Sequence, residues 1–366
     1  MAKKKILIDA HVFDDKHQGT RTYLKGLYNA LLPIAKDWHF YFVARNVDIL
    51  QREIIKNENV TFLPLKYKSK YLRLGFEIPY LIWKHKIDYA HFQYIRPPYK
   101  NCKFIVTLHD ILFEEEKLKM FFPERYRFMN HNLFKWSAKT ADILLTVSEY
   151  SKKQIVKHYD IHPDKIEITP NAPKTYIINS ETQLKVPNKY ILYVSRIEPR
   201  KNHLNLIKAF IASKLYEQGY KLVFIGKRDL FCEELETYLE NNKDLNENHL
   251  IWLESVSNDT LAAYYSNCEL FVFPSFAEGF GIPPLEAMSY GAKMICSDRT
   301  AMADFHFPEK ISFNPDDVEE IQEKMMLQLE HITQPDIHLY KNLLRKYNWK
   351  NIASNYFNTL HRYSEG

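Results

Sequence analysis

The chain has 366 residues with 46% hydrophobic and 14% aromatic content, which argues against disorder and favours two domains, because single cores stop growing near about 250–300 residues. Its four cysteines lie far apart without a C-x-x-C pair, which argues against a disulfide framework or a structural zinc site. No stretch approaches the roughly 18 apolar residues of a membrane span, so we expect a reduced, cytoplasmic protein.

The net charge of +5 is unevenly distributed along the chain. Residues 1–185 carry 31 Lys and Arg against 20 Asp and Glu, whereas residues 186–366 carry 19 against 25. A basic first half indicates an anionic partner. Nucleic acid, an anionic membrane surface and a phosphorylated substrate fit this charge equally well.

The first half of the chain alternates short apolar runs with longer helical patterns. The apolar runs predict strands at 5–10, 39–44, 60–63, 87–92, 103–108 and 142–147. The patterns between them predict helices at 20–32, 72–84 and 124–139. Strands that alternate with helices of this length are typical of βαβ units and a parallel sheet.

The polar stretch 171–189 contains two prolines and predicts an interdomain linker. Alternation then resumes, with strands predicted at 190–194, 221–225, 249–253, 270–274 and 293–296 and a final helix at 339–363. The fold class is therefore α/β, with doubly wound parallel-sheet domains at 1–175 and 186–340. We expect a ligand cleft at the carboxyl ends of the strands, where such sheets bind ligands.

The most informative segment is Phe271–Gly291, FVFPSFAEGFGIPPLEAMSYG, which holds three of the nine glycines in the chain. Such local density indicates backbone with positive φ or close approach to a ligand. Pro283 and Pro284 suit a helix start and would place Glu286 in the first turn, with Glu278 in the preceding loop. Both carboxylates can accept hydrogen bonds from sugar or ribose hydroxyls. The alternative for Glu286 is simple compensation of the helix dipole.

Two basic residues follow the predicted strand 190–194. Arg196 comes directly after it, and Lys201 lies five residues further on, near the start of the next helix. A guanidinium and an ammonium beside a helix N-terminus would clamp a diphosphate. The alternative is a solvated basic loop.

Three features of the first half are candidates for binding. Gly19 would let the backbone approach a phosphate, and His109 lies at the carboxyl end of a predicted strand, although a lone histidine is more often structural. Lys66–Arg73 interleaves basic and aromatic residues, as in single-stranded nucleic-acid or anionic membrane contacts, or on a merely solvated face. The sequence has no D-x-D, H-E-x-x-H, G-x-S-x-G or P-loop motif, so we expect no metal, no cofactor and no serine nucleophile.

Together these motifs resemble the retaining glycosyltransferases of family 4, whose GT-B fold consists of two Rossmann-like domains facing a central cleft. The most specific element is E-x7-E, from Glu278 to Glu286. The segments LHD (108–110), VSEYS (147–151), ITPNAP (168–173) and SRIEPRKN (195–202) follow in the family's order. The resemblance covers nearly the whole chain.

The resemblance implies transfer of a hexose, with mannose one candidate, from a nucleotide-diphosphate sugar to a glycan or lipid-linked acceptor in surface-polysaccharide synthesis. The first domain would bind the acceptor and the second the nucleotide sugar, with the last helix, about 345–366, packing back on the first. Lys66–Arg73 would give peripheral contact with an anionic membrane. The carried-over site residues are these: Arg196 and Lys201 on the diphosphate, Glu286 on the ribose, Glu278 with the amides of Phe280 and Gly281 on the donor sugar, Gly19 under the phosphates, and His109 on the transferred sugar.

Two other functions are compatible with the sequence. A nucleotide-sugar epimerase or a phosphorylase keeps the fold and changes the reaction. A basic nucleic-acid-binding module changes the class of protein, but it gives the E-x7-E segment no role.

Overall fold

The computed structural model describes residues 3–14, 19–174, 186–228, 230–330 and 335–365. The chain divides into two compact units. Unit 1 comprises Met1–Ala172 and Tyr347–Gly366, and unit 2 comprises Pro173–Lys346. Most of the predicted linker, residues 175–185, lies outside the described residues.

The described part of unit 1 contains seven strands. They are β1 (Lys4–Asp9), β2 (Trp38–Ala44), β3 (Val60–Pro64), β4 (Tyr89–Gln93), β5 (Lys103–Leu108), β6 (Ile143–Thr146) and β7 (Ile166–Ile168). All neighbours pair in parallel, in the order β3-β2-β1-β4-β5-β6-β7. The six strands predicted from apolar runs are confirmed within two residues at each end, whereas β7 is too short to give such a run.

Helices of unit 1 cover its sheet. They are α1 (Gly19–Leu31), α2 (Val47–Glu53), α3 (Lys70–Leu72), α4 (Ile78–His85), α5 (Glu124–Thr140) and α6 (Glu149–Tyr159). A π-helical turn, Arg73–Glu77, joins α3 to α4, so the helix predicted at 72–84 is present but contains a distortion. Both faces of a parallel sheet are buried, which is why Ile6, Leu7 and Ile8 of β1 are all inaccessible to solvent.

The described part of unit 2 repeats the same plan with six strands. They are β8 (Tyr190–Val194), β9 (Lys221–Ile225), β10 (Leu250–Leu253), β11 (Leu270–Phe273), β12 (Met294–Ser297) and β13 (Ser312–Phe313). All pairs are parallel, in the order β10-β9-β8-β11-β12-β13. The first five were predicted; β13 has only two residues and gave no signal. The predicted α/β class with two doubly wound parallel sheets is confirmed.

The helices of unit 2, and the last helix of the chain, complete the fold. They are α7 (His203–Ala212), α8 (Glu233–Asn241), α9 (Lys243–Asn248), α10 (Asn258–Asn267), α11 (Ile282–Ser289), α12 (Val318–Glu330), α13 (Ile337–Lys346) and α14 (Trp349–Glu365). The helical stretch predicted at 339–363 is present as two helices, because the helical pattern is interrupted between α13 and α14. That interruption coincides with the boundary between the units.

The last helix, α14, belongs to unit 1 and packs against α1. The indole of Trp349 lies where Gly26 has no side chain, since a Cβ added at Gly26 would stand 2.1 Å from Trp349 Cε2. Further along, the hydroxyls of Tyr356 and Tyr28 approach to 3.5 Å. Close packing and a buried polar contact thus fix this helix on the first unit.

Candidate active site

The strand order of unit 2 reverses between β8 and β11, which are direct neighbours in the sheet. Open parallel sheets bind ligands at the carboxyl ends of strands at such a switch point. Arg196 and Lys201 follow β8, and Glu278 follows β11. The fold therefore brings to one edge of the sheet residues that lie 77 positions apart in sequence.

Lys201 and Glu278 form a buried ion pair at this edge. The ammonium of Lys201 donates a short hydrogen bond to Glu278 Oε1, and each residue is 8% exposed. Arg200 approaches the second carboxylate oxygen, with Nη1 at 3.4 Å from Oε2. The carboxylate of Glu278 therefore lies between two cations, which restricts it to one position.

Burial and the charge of the ion-pair partner shift the pKa of each residue of this pair in opposite directions. Burial alone would raise the pKa of Glu278, but the Lys201 ammonium and the Arg200 guanidinium outweigh it and hold the pKa below its ordinary value. Burial, followed by repulsion from Arg200, lowers the pKa of Lys201. The cluster stays ionised because each charge compensates the other.

Arg200 and Glu198 complete this cluster, and neither was predicted from the sequence. Arg200 Nη2 lies 2.7 Å from Glu198 Oε1, and Arg200 Nη1 donates to the carbonyl of Ala277 at 2.7 Å. Both residues stand in the SRIEPRKN segment, so its alternation of acidic and basic residues was the available signal. Their function is to connect the loop after β8 to the loop after β11.

Arg196 occupies a different environment from Lys201. Its guanidinium side chain is 39% exposed, and Nη2 lies 3.6 Å from Glu198 Oε1. A guanidinium with this exposure is accessible to an anion from solvent. Of the two basic residues predicted to act together, one thus lies in a buried ion pair and the other is accessible to solvent.

Backbone contacts hold the turn that presents Lys201. Its carbonyl accepts a hydrogen bond of 2.8 Å from the hydroxyl of Tyr193. The next residue, Asn202, has a φ of +58°, and its side-chain amide donates to the carbonyls of Pro274 and Pro315 at 3.0 and 2.7 Å. These contacts fix the position of the ammonium before any ligand binds.

The loop after β11 is equally constrained. The amide of Glu278 donates to Thr300 Oγ1 at 2.9 Å. Gly281 has a φ of +98°, a backbone conformation that side chains rarely adopt, so glycine is favoured at this position; a Cβ there would also displace the terminal methyl of Met302, which lies 2.0 Å away. The ring of Phe280 is buried edge-on against Phe305 at 5.6 Å, which leaves its backbone as the part that a ligand could contact.

Glu286 lies on α11 but not in its first turn. The helix begins at Ile282, one residue before Pro283, so Glu286 is its fifth residue and the predicted first-turn position is wrong. Its Oε2 accepts a hydrogen bond of 3.0 Å from the hydroxyl of Tyr265. Burial raises its pKa, against smaller opposing effects of Tyr265 and Lys174. Compensation of the helix dipole is therefore a weak explanation for Glu286, since a charge beyond the first turn is stabilised little by the dipole.

In unit 1, His109 follows β5 as predicted and is 7% exposed. Its Nε2 lies 2.7 Å from Gln93 Oε1, and the ring of Tyr23 meets it edge-on at 4.9 Å. Burial lowers its pKa to about 3, so the ring is neutral at physiological pH. Gly19 is the first residue of α1, and a Cβ there would meet no described atom within 4 Å.

The basic segment Lys66–Arg73 is only partly a surface. Lys66 and Lys68 are exposed, but Arg73 is buried, with its Nε 3.5 Å from Asp9 Oδ2. The predicted surface role of Arg73 is therefore wrong, because its guanidinium balances a carboxylate at the end of β1. Burial would raise the pKa of Asp9, but His11 and Arg73 outweigh it and lower that pKa to about 2.

Within the described ranges, no group of three or more His, Cys, Asp and Glu side chains is placed to hold a metal ion. In the same part of the chain, no helix is long and apolar enough to cross a membrane.

Comparison with known families identifies the chain. The profile "Glycosyltransferase Family 4" matches residues 18–174, and "Glycosyl transferases group 1" matches residues 177–336. The chain belongs to glycosyltransferase family 4. It is accordingly a glycosyltransferase, and the resemblance inferred from the E-x7-E segment and its companions is confirmed.

Several curated relatives of this glycosyltransferase are named mannosyltransferases. O-antigen chain mannosyltransferase B of Escherichia coli is 29% identical over 74% of this chain and 74% of its own length. O-antigen chain mannosyltransferase RfbU of Salmonella typhimurium is 28% identical over 68% of this chain and 66% of its own length. The serotype-specific mannosyltransferase WbdA of Escherichia coli is 32% identical over 50% of this chain, which spans 24% of that longer protein.

Solved structures agree on the GT-B fold. Sucrose-phosphate synthase from Thermosynechococcus elongatus superimposes with a TM-score of 0.72 at 18% identity, covering 98% of both chains. HepE from Anabaena, in complex with UDP and glucose, gives a TM-score of 0.69 at 16% identity over 98% of this chain and 99% of its own. The predicted GT-B fold is confirmed.

Proposed function

We propose that this glycosyltransferase moves a hexose, with mannose the first candidate, from a nucleotide-diphosphate sugar to a glycan or lipid-linked glycan in surface-polysaccharide synthesis, with retention at the anomeric carbon. The names of the O-antigen mannosyltransferases support the sugar and the pathway class. The observation that carries the reaction is the buried pair of Lys201 and Glu278 at the switch point of unit 2.

The chemistry of the pair suits a departing diphosphate. Negative charge develops on the leaving nucleotide as the bond to the sugar breaks, and preorganised cations there lower the barrier. Lys201 is already fixed by Glu278, and Arg196 is accessible, so together they would neutralise the diphosphate. Since protein cations supply this charge, we propose that no metal and no other cofactor is needed.

The remaining site residues would bind the other parts of the substrates. We assign the nucleotide sugar to unit 2, where Glu286 would bind the ribose and Glu278 the donor sugar, together with the amides at Phe280 and Gly281. We assign the acceptor to unit 1, from which Gly19 would also approach the donor phosphates and His109 the transferred sugar. The last two assignments rest on the family's motif order and on the positions of both residues after β1 and β5.

The first experiment is thermal stabilisation by UDP, GDP, ADP and their sugar conjugates, in metal-free buffer. A diphosphate at 100 times its Kd should stabilise the folded state by about 2.7 kcal/mol. Arg196→Ala and Lys201→Ala should abolish the shift. Lys324→Ala, which removes an ammonium on α12 bound to the carbonyl of Glu309, is the control and should keep it.

A shift from one nucleotide only would name the donor class, and transfer of radiolabelled sugar from it would then identify the product. Change of the sugar in the absence of any acceptor would point to an epimerase. If no nucleotide stabilised the wild-type protein, the diphosphate assignment would be wrong.

We also propose that unit 1 contacts an anionic membrane, where a lipid-linked acceptor would reside. Beside the exposed Lys66 and Lys68, α4 and the π turn before it expose Phe76, Tyr80 and Trp83 at 69%, 53% and 73%. Their spacing of four and three residues places them on one side of the helix, here named the aromatic face. Lysines around exposed aromatic rings suit the interface of an anionic bilayer, since the rings enter the headgroup region and the ammonium groups meet the phosphates.

Vesicle sedimentation tests this contact. Binding to phosphatidylglycerol vesicles should exceed binding to phosphatidylcholine vesicles and should weaken in 0.5 M salt. Phe76→Ser with Trp83→Ser should reduce binding more than tenfold. Phe231→Ser, which removes an equally exposed ring from unit 2, is the matched control. Equal binding of all variants would remove the aromatic face from the proposal and leave the transferase unaffected.

A further inference from the structure

The strand β4 carries two polar side chains inside the core of unit 1. His91 is fully buried and Gln93 is 5% exposed, and the other residues of this strand are buried as well. Alternate residues of a strand lie on the same face, so these two side chains are neighbours. A buried polar group is costly unless it is hydrogen-bonded, which makes their partners informative.

The partners form a continuous row that ends at His109. His91 Nδ1 lies 2.6 Å from the hydroxyl of Tyr28, and His91 Nε2 lies 2.8 Å from Thr107 Oγ1 and 3.2 Å from Gln93 Nε2. Gln93 Oε1 then lies 2.7 Å from His109 Nε2. Tyr356 extends the row at its far end, 3.5 Å from Tyr28. Side chains from α14, α1 and β4 are thus connected to the histidine that follows β5.

The amide of Gln93 determines which of its neighbours in this row donates a hydrogen bond and which accepts one. Its Nε2 can only donate, so His91 Nε2 accepts, and its Oε1 can only accept, so His109 Nε2 donates. A neutral imidazole carries one proton, which leaves a lone pair on His109 Nδ1. The row therefore selects one of the two neutral forms of the ring.

We propose that Gln93 is a positioning residue that holds His109 in the Nε2–H form, so that Nδ1 accepts a hydrogen bond from a sugar hydroxyl. The tautomer follows from the orientation of the Gln93 amide, whereas the hydroxyl rests on the proposed function. A ring in this form accepts a hydrogen bond at Nδ1 and carries no proton there to donate.

The surroundings of His109 reinforce this selection. Tyr23 packs edge-on against the ring, and the ring of Tyr94 lies 5.4 Å from it on another side. Turning the ring over would break the bond to Gln93 within this packing. The titratable groups that face His109 are His91, Tyr23 and Tyr94. Burial, followed by repulsion from His109, lowers the pKa of His91 to about 3, and burial raises that of Tyr23, so neither supplies a charge near neutral pH.

The direct test is nitrogen NMR of the full chain labelled with ¹⁵N-histidine, with the His109 signals assigned by their loss in His109→Asn. The wild-type spectrum should show a protonated Nε2 and an unprotonated Nδ1. The reverse pattern would overturn the proposal without any variant of Gln93. The spectrum is recorded without substrate, so this result stands even if the chain binds no nucleotide sugar.

Two variants test the consequence for transfer. Gln93→Met keeps the volume and removes the acceptor, so kcat/KM for the donor should fall about tenfold, as for loss of one neutral hydrogen bond. The Kd for the nucleotide diphosphate, which lacks the sugar, should not change. Gln93→Glu should raise the pKa of His109, because a carboxylate favours the charged ring, and kcat/KM should then fall toward acidic pH where the wild type is flat.

Tyr356→Phe is the matched control, since it removes a buried hydroxyl at the far end of the same row. It should leave the His109 signals and kcat/KM within about twofold of wild type. A loss in Tyr356→Phe equal to that in Gln93→Met would indicate a general packing effect and overturn the positioning role, as would a Gln93→Met protein with unchanged tautomer and kinetics.

Discussion

The ends of β8 and β11 in unit 2 and the ends of β4 and β5 in unit 1 are both pairs of neighbouring strand ends in a parallel sheet, yet their chemistry differs. In unit 2 the edge holds a buried ionised cluster around Lys201 and Glu278. In unit 1 the ends of β4 and β5 hold neutral groups, with Gln93 and His109 joined by a hydrogen bond, whereas the charged pair of Asp9 and Arg73 lies at the end of β1. The carboxyl ends of neighbouring parallel strands thus carry charge in one place and hydrogen-bond direction in another.

The difference matches the demands of the proposed reaction. A departing diphosphate gains negative charge, which preorganised cations stabilise strongly in a site shielded from water. Sugar hydroxyls carry no charge, so donors and acceptors of fixed direction recognise them at lower desolvation cost. The sheet thus determines where a site can form, and the loops after the strands determine its chemistry.

Breaking the charged edge should have the largest effect. Glu278→Gln should lower kcat about 10²- to 10³-fold, because the sugar contact is weakened and Lys201 loses the group that fixes it. The same variant should lose about 3–5 kcal/mol of unfolding free energy, since it leaves a buried ammonium without its partner. Transfer rates and urea unfolding measure the two effects separately.

The double variant Glu278→Gln with Lys201→Met separates folding from catalysis. Removing both charges should restore most of the stability that the single variant loses. Activity should stay at the level of the single variant, because the cation for the diphosphate is also gone. A double variant that transferred sugar at more than a tenth of the wild-type rate would show that the pair is structural.

Two glycines, one in each unit, allow the backbones of the two sites to be compared by substitution. Gly281→Ala in unit 2 should destabilise the fold by about 1–3 kcal/mol, because a φ of +98° opposes a Cβ. Gly19→Ala in unit 1 should leave the melting temperature unchanged, since no described atom lies within 4 Å of the added carbon. Differential scanning calorimetry of the two variants gives the contrast directly.

Ligand binding by Gly19→Ala then decides its role. If a phosphate approaches that backbone, the variant should keep its melting temperature and lose at least tenfold in substrate affinity. Unchanged affinity would show that the position is merely an open helix start. Equal destabilisation by both substitutions would contradict the contrast between the two loops.

The sequence predicted those parts of the fold that local pattern controls. Apolar runs such as 103–108 and 190–194 match β5 and β8 residue for residue, because a strand buried on both faces is mostly apolar. The E-x7-E segment likewise located the loop after β11. The short strands β7 and β13 were missed, since two or three residues carry no periodicity.

Contacts between side chains that lie far apart in the sequence could not be predicted. Nothing in the sequence states that Lys201 meets Glu278, or that Arg200 rather than Arg196 approaches the same carboxylate. Arg73 was misplaced for the same reason, because its partner Asp9 lies on a strand 64 positions earlier. His91 and Gln93 were visible as alternating polar residues in an apolar stretch, which is a usable signal for a buried hydrogen-bonded row.

The smallest change in stability that we expect at neutral pH is for substitution of a buried histidine of unit 2, which within the described part of the chain lacks the hydrogen bond that His109 has. His203, on α7, is 2% exposed, and neither ring nitrogen has a hydrogen-bond partner among the described residues. Aromatic rings surround it, including Tyr193 at 4.7 Å and Phe224 at 5.3 Å. Burial, followed by repulsion from Lys201, lowers its pKa to about 3 from 6.5.

The sign of the pH dependence follows from these values. Between about pH 6 and pH 4 the unfolded chain binds a proton at His203 that the folded chain does not, so stability falls by about 1.4 kcal/mol per pH unit from this residue. His203→Phe should change stability little at pH 7 and should make the protein more stable than wild type at pH 5. Urea unfolding at both pH values measures this. An equal change at both would mean that His203 finds a partner for its proton in the folded protein, and the contrast with the hydrogen-bonded His109 would disappear.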